Sequence, residues 1–429
     1  MNQKETIQAL LDGAYDECLQ KMYVCNQDEL APYRQRFVDA VKMFGQEFGT
    51  DGEIMLFSSA GRTELCGNHT DHQGGHVLAG SVNLDIIAVA TKRDNGKIRL
   101  KSEGMLMDSV ELSDLTPQPD EFNSSSALLR GISARFEDLG YPVSGFDAFT
   151  TSNVLRGSGL SSSASFEVLV GNICNSFFAE GAFTPVQIAQ IGQYAENFYF
   201  GKPCGLEDQL ACSVGGVIAI DFKDDEPVIE KTSVSLAKEG YALCILDSNA
   251  DHSDLTDAYA SIPAEMKKVA SVFGKNLLSE VKKADFLAKI PQIREICGDR
   301  AVLRALHFFR EDKRVIRAVH SLQNGYFEQY LKEIRDSGSS SFQYLQNIST
   351  YTEPEHQEVA LTIALCTELL GGRGAVRVHG GGFAGTVQAY VPLDELDSFK
   401  EQVEAVLGEN HCHILKIRPV GGLVLTCQV

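Results

Sequence analysis

No run of basic residues occurs anywhere in this 429-residue sequence, and acidic residues outnumber basic ones by 58 to 38, a formal charge of -20. That balance argues against a surface that neutralises a nucleic-acid backbone or an anionic membrane. A polyanionic substrate such as a nucleotide would have to be held by local amides, a metal and a few cations. No apolar run reaches membrane length; Val82 to Ala90 is too short and carries Asp85. The first residues, Met1 to Thr6, lack the cationic and apolar blocks of a signal peptide. The eleven cysteines are odd in number and form no CxxC pair, which suits reduced thiols and a cytoplasmic location. Two nucleotide signatures are also missing. Each Gly-Lys pair is followed by Ile98, Pro203 or Asn276, so there is no GxxxxGK[ST], and no GxGxxG sits between a strand and a helix.

What is present is an ordinary globular composition, 44% hydrophobic and 22% charged, long enough for two or three domains. Tyr33, Phe37, Val41 and Phe44 recur at helical spacing, predicting an amphipathic helix over Leu30 to Phe48 that stops near Gly49. A short strand, Ile54 to Phe57, should lead into an irregular polar loop from Ser58 to Gly75, and a loop that long is usually functional. Leu84 to Thr91 and Lys97 to Ser102 read as strands joined by a tight hairpin turn at Asp94-Asn95-Gly96. Helices are expected over Ser125 to Leu139, from Ser163 to Phe178, and after Thr184-Pro185, which supplies an N-cap and a first-turn proline. The acidic turn Lys223 to Pro227 marks the domain border. Beyond it the pattern is mostly helical to Gln346, Thr352 to Glu355 reads as a capping box, and strands flank His379 to Gly385.

Gly157 to Ser165 is a Gly/Ser run that opens onto the apolar, helix-forming Phe166 to Val170. By itself it reads equally as a solvated linker or as a cradle in which amides and hydroxyls converge on a helix N-terminus and bind phosphates. Cys66, His69, His72 and His76 raise the alternative of a metal cluster, but Gly74-Gly75 would break any helix aligning them and no second ligand pair follows.

Four segments taken together decide the reading. Gly61-Arg62-Thr63-Glu64-Leu65-Cys66-Gly67-Asn68-His69-Thr70-Asp71-His72-Gln73-Gly74-Gly75 resembles the galactokinase signature, whose usual form is Gly-Arg-Val-Asn-Leu-Ile-Gly-Glu-His-Thr-Asp-Tyr-Asn-Gly-Gly. Gly157 to Ala164 is similar to the ATP loop of the wider GHMP kinase family. Ala195-Glu196-Asn197 with Cys204 to Gln209 resembles its metal and catalytic segment, and Val378 to Gly385 its third glycine motif. The resemblance implies an α/β (α+β) fold of two domains, 1–224 and 225–429, with the active site between them. It implies transfer of a phosphoryl group from ATP, with Mg2+, to the C1 hydroxyl of a galactose-type sugar.

It also implies roles. Asp208 would take the proton of the sugar hydroxyl, with Arg62 holding it ionised and stabilising developing charge. Glu196 with Ser162 or Ser163 would hold Mg2+. Gly157, Ser158, Gly159, Leu160, Ser161, Ser162, Ser163 and Ala164 would surround ATP, and Asn68, His69, Asp71, Gly205 and Tyr259 would contact the sugar. Three departures from the pattern matter most: Asn68 stands for a glutamate, His72 for a tyrosine and Ala384 for a glycine. Losing the carboxylate at position 68 suggests altered selectivity at the sugar's C6, with galacturonate as a candidate substrate. A sugar and ATP sensor of the same fold is the reading of another class. The retained Arg62, Asp208 and full glycine loop favour the enzyme over it.

Overall fold

The computed structural model describes all residues except 155–158, 203, 225, 233, 251–254, 351, 353 and 428–429. Two sheets organise it. The first contains β1 (Met55–Cys66), β2 (His76–Lys92), β3 (Lys97–Ser102), β4 (Met107–Glu111), β5 (Gly145–Ser152), β6 (Val217–Asp221), β7 (Val228–Thr232) and, from the far end of the chain, β12 (Leu423–Val424). Its order is β12-β1-β2-β5-β3-β4, with β6 paired to the start of β2 and β7 outside β6. The second sheet is β11-β8-β10-β9, built from β8 (Tyr241–Ala250), β9 (Ala375–Val378), β10 (Gly385–Pro392) and β11 (Cys412–Leu415).

Alternation along β2 shows why the first sheet is covered on both faces. Ile87 and Val89 join Phe37, Val41 and Phe44 of helix Ala31–Phe48, while Ala88 and Ala90 face the opposite way, toward Leu169 and Ile173 of helix Ser162–Phe178. Asp85, the charge inside that apolar run, is fully buried and bonded by Tyr23, Ser58, Arg36 and Arg418. Burial opposes its charge, but the two arginines outweigh that cost and hold it below the usual carboxylate range. On the second sheet Leu243, Ile245 and Tyr390 meet Tyr330 and Ile334, while Cys244, Leu246 and Val387 meet helix Glu358–Leu370. The first of these groups belongs to the same core as Ala88, so the two sheets share one apolar interior.

Several sequence expectations need correction. β1 runs on to Cys66, through residues expected to be loop, because Ser58, Ser59, Thr63 and Glu64 are buried polar residues paired in the ladder with β2. The ladder carries bulges between Ala60 and Arg62 and between Glu64 and Cys66, which re-aim the side chains on either side. Asp94 to Gly96 does not close a hairpin, since β5 lies between β2 and β3, antiparallel to the first and parallel to the second. The helix expected after Thr352 begins only at Glu358. Beyond residue 224, β7 pairs with β6 and β12 returns to β1. Among the described residues no helix is long and apolar enough to cross a membrane.

Candidate active site

A cavity of about 200 Å3 lies where β1, the loop after it, the start of helix Glu207–Val214 and the loop after β9 converge. Arg62, Glu64, Asn68, His69, Asp71 and His72 line it from the first two, Cys204, Gly205, Glu207 and Asp208 from the third, and Gly380 and Gly381 from the last. The loop folds back tightly: a Cβ at Gly67 would come 2.8 Å from the His76 carbonyl and from Val77 Cα. At Gly205 a Cβ would collide with the Asp71 carboxylate, so glycine is required for that close approach.

Arg62 and Asp208, 146 residues apart, form the centre. Arg62 Nε donates to Asp208 Oδ1 at 2.7 Å, Nη2 lies 2.6 Å from the same oxygen, and Nη1 donates to the Gly159 carbonyl. Burial works against the Arg62 charge, and the carboxylates of Asp208 and Glu207 overcome it and raise its pKa. Ser161 donates its hydroxyl to Asp208 Oδ2. Ser161 sits in the left-handed region at φ 54° and precedes helix Ser162–Phe178, whose N-terminus has no side-chain cap. Its first-turn N–H groups are therefore available to an anion.

Ser162 and Ser163 open onto a second cavity of about 740 Å3, lined also by Ile86, Leu128, Phe166 and the turn from Ser102 to Asp108. Leu160 and Ala164 are fully buried, and the Leu160 carbonyl accepts from the Arg62 backbone N–H at 3.1 Å. Gly157 and Ser158 lie outside the described residues.

Glu196, at the end of helix Pro185–Ala195, is buried, as is Glu167. Gln209 Nε2 bridges them, 2.8 Å from Glu196 Oε2 and 2.9 Å from Glu167 Oε2. Burial and mutual repulsion push Glu167 well above the usual carboxylate range, and burial raises Glu196 as well. Lys202 Nζ, 4.0 Å from Glu196 Oε1, is the ion partner of this pair among the described residues, and Glu167 Oε1 has no hydrogen bond. Two buried carboxylates, with Glu167 Oε1 unpaired, offer hard oxygens of the kind that suit a small divalent cation.

The third glycine loop clamps the first. His379 bridges Thr63 and Thr386 at 3.0 Å each, His69 Nε2 lies 3.0 Å from the Gly381 carbonyl, and Asn68 Nδ2 donates to the Gly380 carbonyl at 2.6 Å. Asn68 is otherwise occupied: Nδ2 also reaches both oxygens of Glu64 at 3.3 and 3.2 Å, while Oδ1 accepts from Asn347 at 2.8 Å and Ser341 at 3.3 Å. Its amide is thus bonded within the protein, which leaves it little capacity for a sugar. The expectation of a uronate preference loses its basis further, because four carboxylates, Glu64, Asp71, Glu207 and Asp208, line the cavity against one arginine.

Tyr259 is not among the residues lining the cavity. Its hydroxyl donates to the Gly382 carbonyl at 2.7 Å and its ring packs edge-on against Phe383. Burial raises Asp71, while burial with His69 and Lys267 pushes His72 down to about 3, so that ring is neutral. Cys66 and His76 point to other partners, Glu311 and Asp312.

Reasoning from the sequence misses Glu64, Glu167, Glu207, Gln209 and Arg377. Glu207 and Gln209 flank Asp208, and that adjacency is a signal. Arg377, fully buried and donating to Glu64 from 313 residues away, has no local signal.

The chain is similar to known proteins in sequence and in fold. The sequence model described as the galactokinase galactose-binding signature matches residues 42–92, and that of the GHMP kinases N terminal domain matches 127–216. A galactokinase of Streptomyces coelicolor is 31% identical over 368 residues, covering 84% of this chain and 90% of the relative. One of Clostridium tetani is 28% identical over 391 residues, covering 88% and 92%. The crystal structure of Lactococcus lactis galactokinase complexed with galactose superposes with a TM-score of 0.77 at 24% identity, covering 89% of this chain and 98% of that one.

Proposed function

Because the chain belongs to the galactokinase family of GHMP kinases, we propose that it transfers the γ-phosphoryl group of ATP to the C1 hydroxyl of galactose. The observation that carries this reading is the chain of bonds from Arg62 through Asp208 to Ser161. It joins the smaller, sugar-sized cavity to the helix N-terminus at the larger one, which is large enough for a nucleotide. Asp208 is the acceptor for the hydroxyl proton as the sugar oxygen attacks, and Ser161 orients that carboxylate. Arg62 lines the smaller cavity and donates to the Gly159 carbonyl of the glycine loop, a position from which a cation stabilises charge on the transferring group.

The first-turn amides of helix Ser162–Phe178 face the phosphates. Glu196 with the hydroxyl of Ser162 or Ser163 would hold Mg2+, which would supply positive charge against the phosphates of ATP. The sugar is positioned by Asp71 and His69, with Gly205 leaving room for Asp71. Positioning and electrostatics supply the rate, since phosphoryl transfer requires little covalent chemistry from the protein. The sensor reading has no observation in its favour. A coupled ADP-release assay over hexoses and hexuronates tests the assignment: galactose-dependent ADP release with galactose 1-phosphate as product is expected. Turnover of no sugar, or phosphate appearing at another hydroxyl, would refute it.

A further inference from the structure

Helix Asp299–Gln323 lies far along the chain from the loop that carries His69 and Asp71, yet it holds both ends of that loop. At the first end, His307 Nε2 lies 2.8 Å from the Asn68 carbonyl, and the Gly67 N–H donates to Glu311 Oε1 at 3.2 Å. Gly67 also packs on Val315, so closely that a Cβ there would come 3.1 Å from Val315 Cγ2. At the second end, the His76 N–H donates to Asp312 Oδ1 at 3.2 Å, and Phe308 packs against Gly75. Residues 307, 311 and 315 form one stripe of the helix, and 308 and 312 the stripe beside it. None of these side chains lines the sugar cavity.

The turn at the first end is one that the chain would not keep unaided. Gly67 has φ 109°, and His69, which carries a Cβ, has φ 58°, in the left-handed region that L side chains rarely adopt. Such a residue persists only where its surroundings over-determine it. Here Glu311 takes the Gly67 N–H, and His307 takes the Asn68 carbonyl, which belongs to the peptide group leading into His69. Both partners are fully buried. A carbonyl can only accept, so His307 carries its proton on Nε2, and Nδ1 accepts from the Ser340 hydroxyl at 2.9 Å. Glu311 accepts in turn from Arg314 and from the Ser337 hydroxyl. Burial opposes its charge, but Arg314 outweighs that cost and pulls it down to about 2.

Resting on the reading of this cavity as the sugar site, we propose that His307 is a positioning residue for the phosphoryl transfer. With Glu311 beside it, it fixes the turn from Gly67 to His69, so that His69 and Asp71 face the sugar before it binds. Without that hold the turn samples other conformations, and affinity for the sugar falls in proportion to the fraction that keeps the competent one. A competent fraction of about one tenth weakens galactose about tenfold. ATP, which belongs to the other cavity, is unaffected.

Two polar variants of the full-length protein separate this role from a plain contribution to stability. In His307→Gln the amide nitrogen can take the place of Nε2 and still donate to the Asn68 carbonyl. In His307→Asn it reaches only the place of Nδ1, beside Ser340. Galactose binding is measured by calorimetry, and ADP-release kinetics gives kcat and the KM of each substrate. His307→Asn should weaken galactose about tenfold in Kd and KM and leave the ATP KM within about twofold, while His307→Gln stays within about threefold of the parent for both substrates. Val302→Ala, a buried truncation on the same helix, should lower the urea midpoint without changing the galactose Kd. Parental galactose affinity in His307→Asn would overturn the inference while the kinase reading stands. Equal losses in the two His307 variants, an equal loss from Val302→Ala, or an ATP KM that rises as far as the galactose KM would overturn it in the same way. Turnover of no sugar by the parent would remove both.

Discussion

Restoring the signature glutamate at position 68 should damage this protein rather than improve it. Asn68 is 1% exposed, and its Nδ2 donates to both Glu64 oxygens at 3.3 and 3.2 Å and to the Gly380 carbonyl at 2.6 Å. Asn68→Glu removes those donors and sets a second carboxylate against the first. Losing a hydrogen bond to a charged group costs about 1.5–3 kcal/mol. Two like charges about 4 Å apart add about 4 kcal/mol at an effective dielectric of 20. The two terms together give a destabilisation of at most about 5.5–7 kcal/mol at about pH 8, and proton uptake on one of the pair lowers it.

That proton uptake sets the sign of the pH dependence. A carboxyl whose pKa is raised in the folded variant destabilises the fold only where the unfolded glutamate is ionised, above about pH 4.3, and the deficit grows as pH rises toward the raised value. Urea midpoints measured at about pH 5 and about pH 8 should show a larger loss at the higher pH. The exchange Glu64→Asn with Asn68→Glu should recover part of it, because one carboxylate and one amide again face each other. A parental midpoint for Asn68→Glu at the higher pH, or the same deficit at both, would refute the reasoning.

Asp208→Asn should lower kcat by about 10²–10⁴, the usual worth of a positioned general base, while calorimetry still detects ATP binding. Near-parental turnover would take Asp208 out of its role. Gly205→Ala drives a methyl into the Asp71 carboxylate, so the sugar KM should rise with kcat less affected, and overpacking should cost about 1–3 kcal/mol in unfolding experiments. An unchanged sugar KM would mean that Asp71 does not hold the sugar. His76 is raised by its hydrogen bond with Asp312, against burial, and lies 3.4 Å from Asp221. A raised histidine contributes stability fully below its unfolded pKa of about 6.5 and loses it as pH rises through the folded value. The parent should therefore lose stability across that window in urea titrations, and His76→Gln should flatten the slope; an unaltered slope would refute the assignment.

What can be read from the sequence and what cannot divide along a physical line. Helices Ala31–Phe48 and Ser162–Phe178 and the strands around His379 are legible because a local period and the glycines or prolines that bound it specify them. The residues of the candidate catalytic pair are legible for another reason: Arg62 and Asp208 each sit in a dense motif, although nothing in either motif says that they touch. The failures share a different cause. Ser58 to Cys66 reads as loop because its polarity suits solvent, yet those residues are buried against partners far along the chain: Gln388 donates to Thr63 at 2.8 Å and Arg377 to Glu64. Polarity at such a position reports a bond to a distant group rather than exposure.

Position 68 shows the same limit at the level of chemistry. Compared with the signature, the amide and the carboxylate of positions 64 and 68 have changed places, and position 68 read alone suggests a missing charge and a different sugar. The two side chains are in contact, with Arg377 behind the carboxylate. The carboxylate is thus kept in the cavity but moved by four residues along the chain, and its charge is balanced by a cation that the sequence pattern does not connect to it. A substitution in a binding motif has to be read together with the residue it touches, and here that residue also departs from the motif.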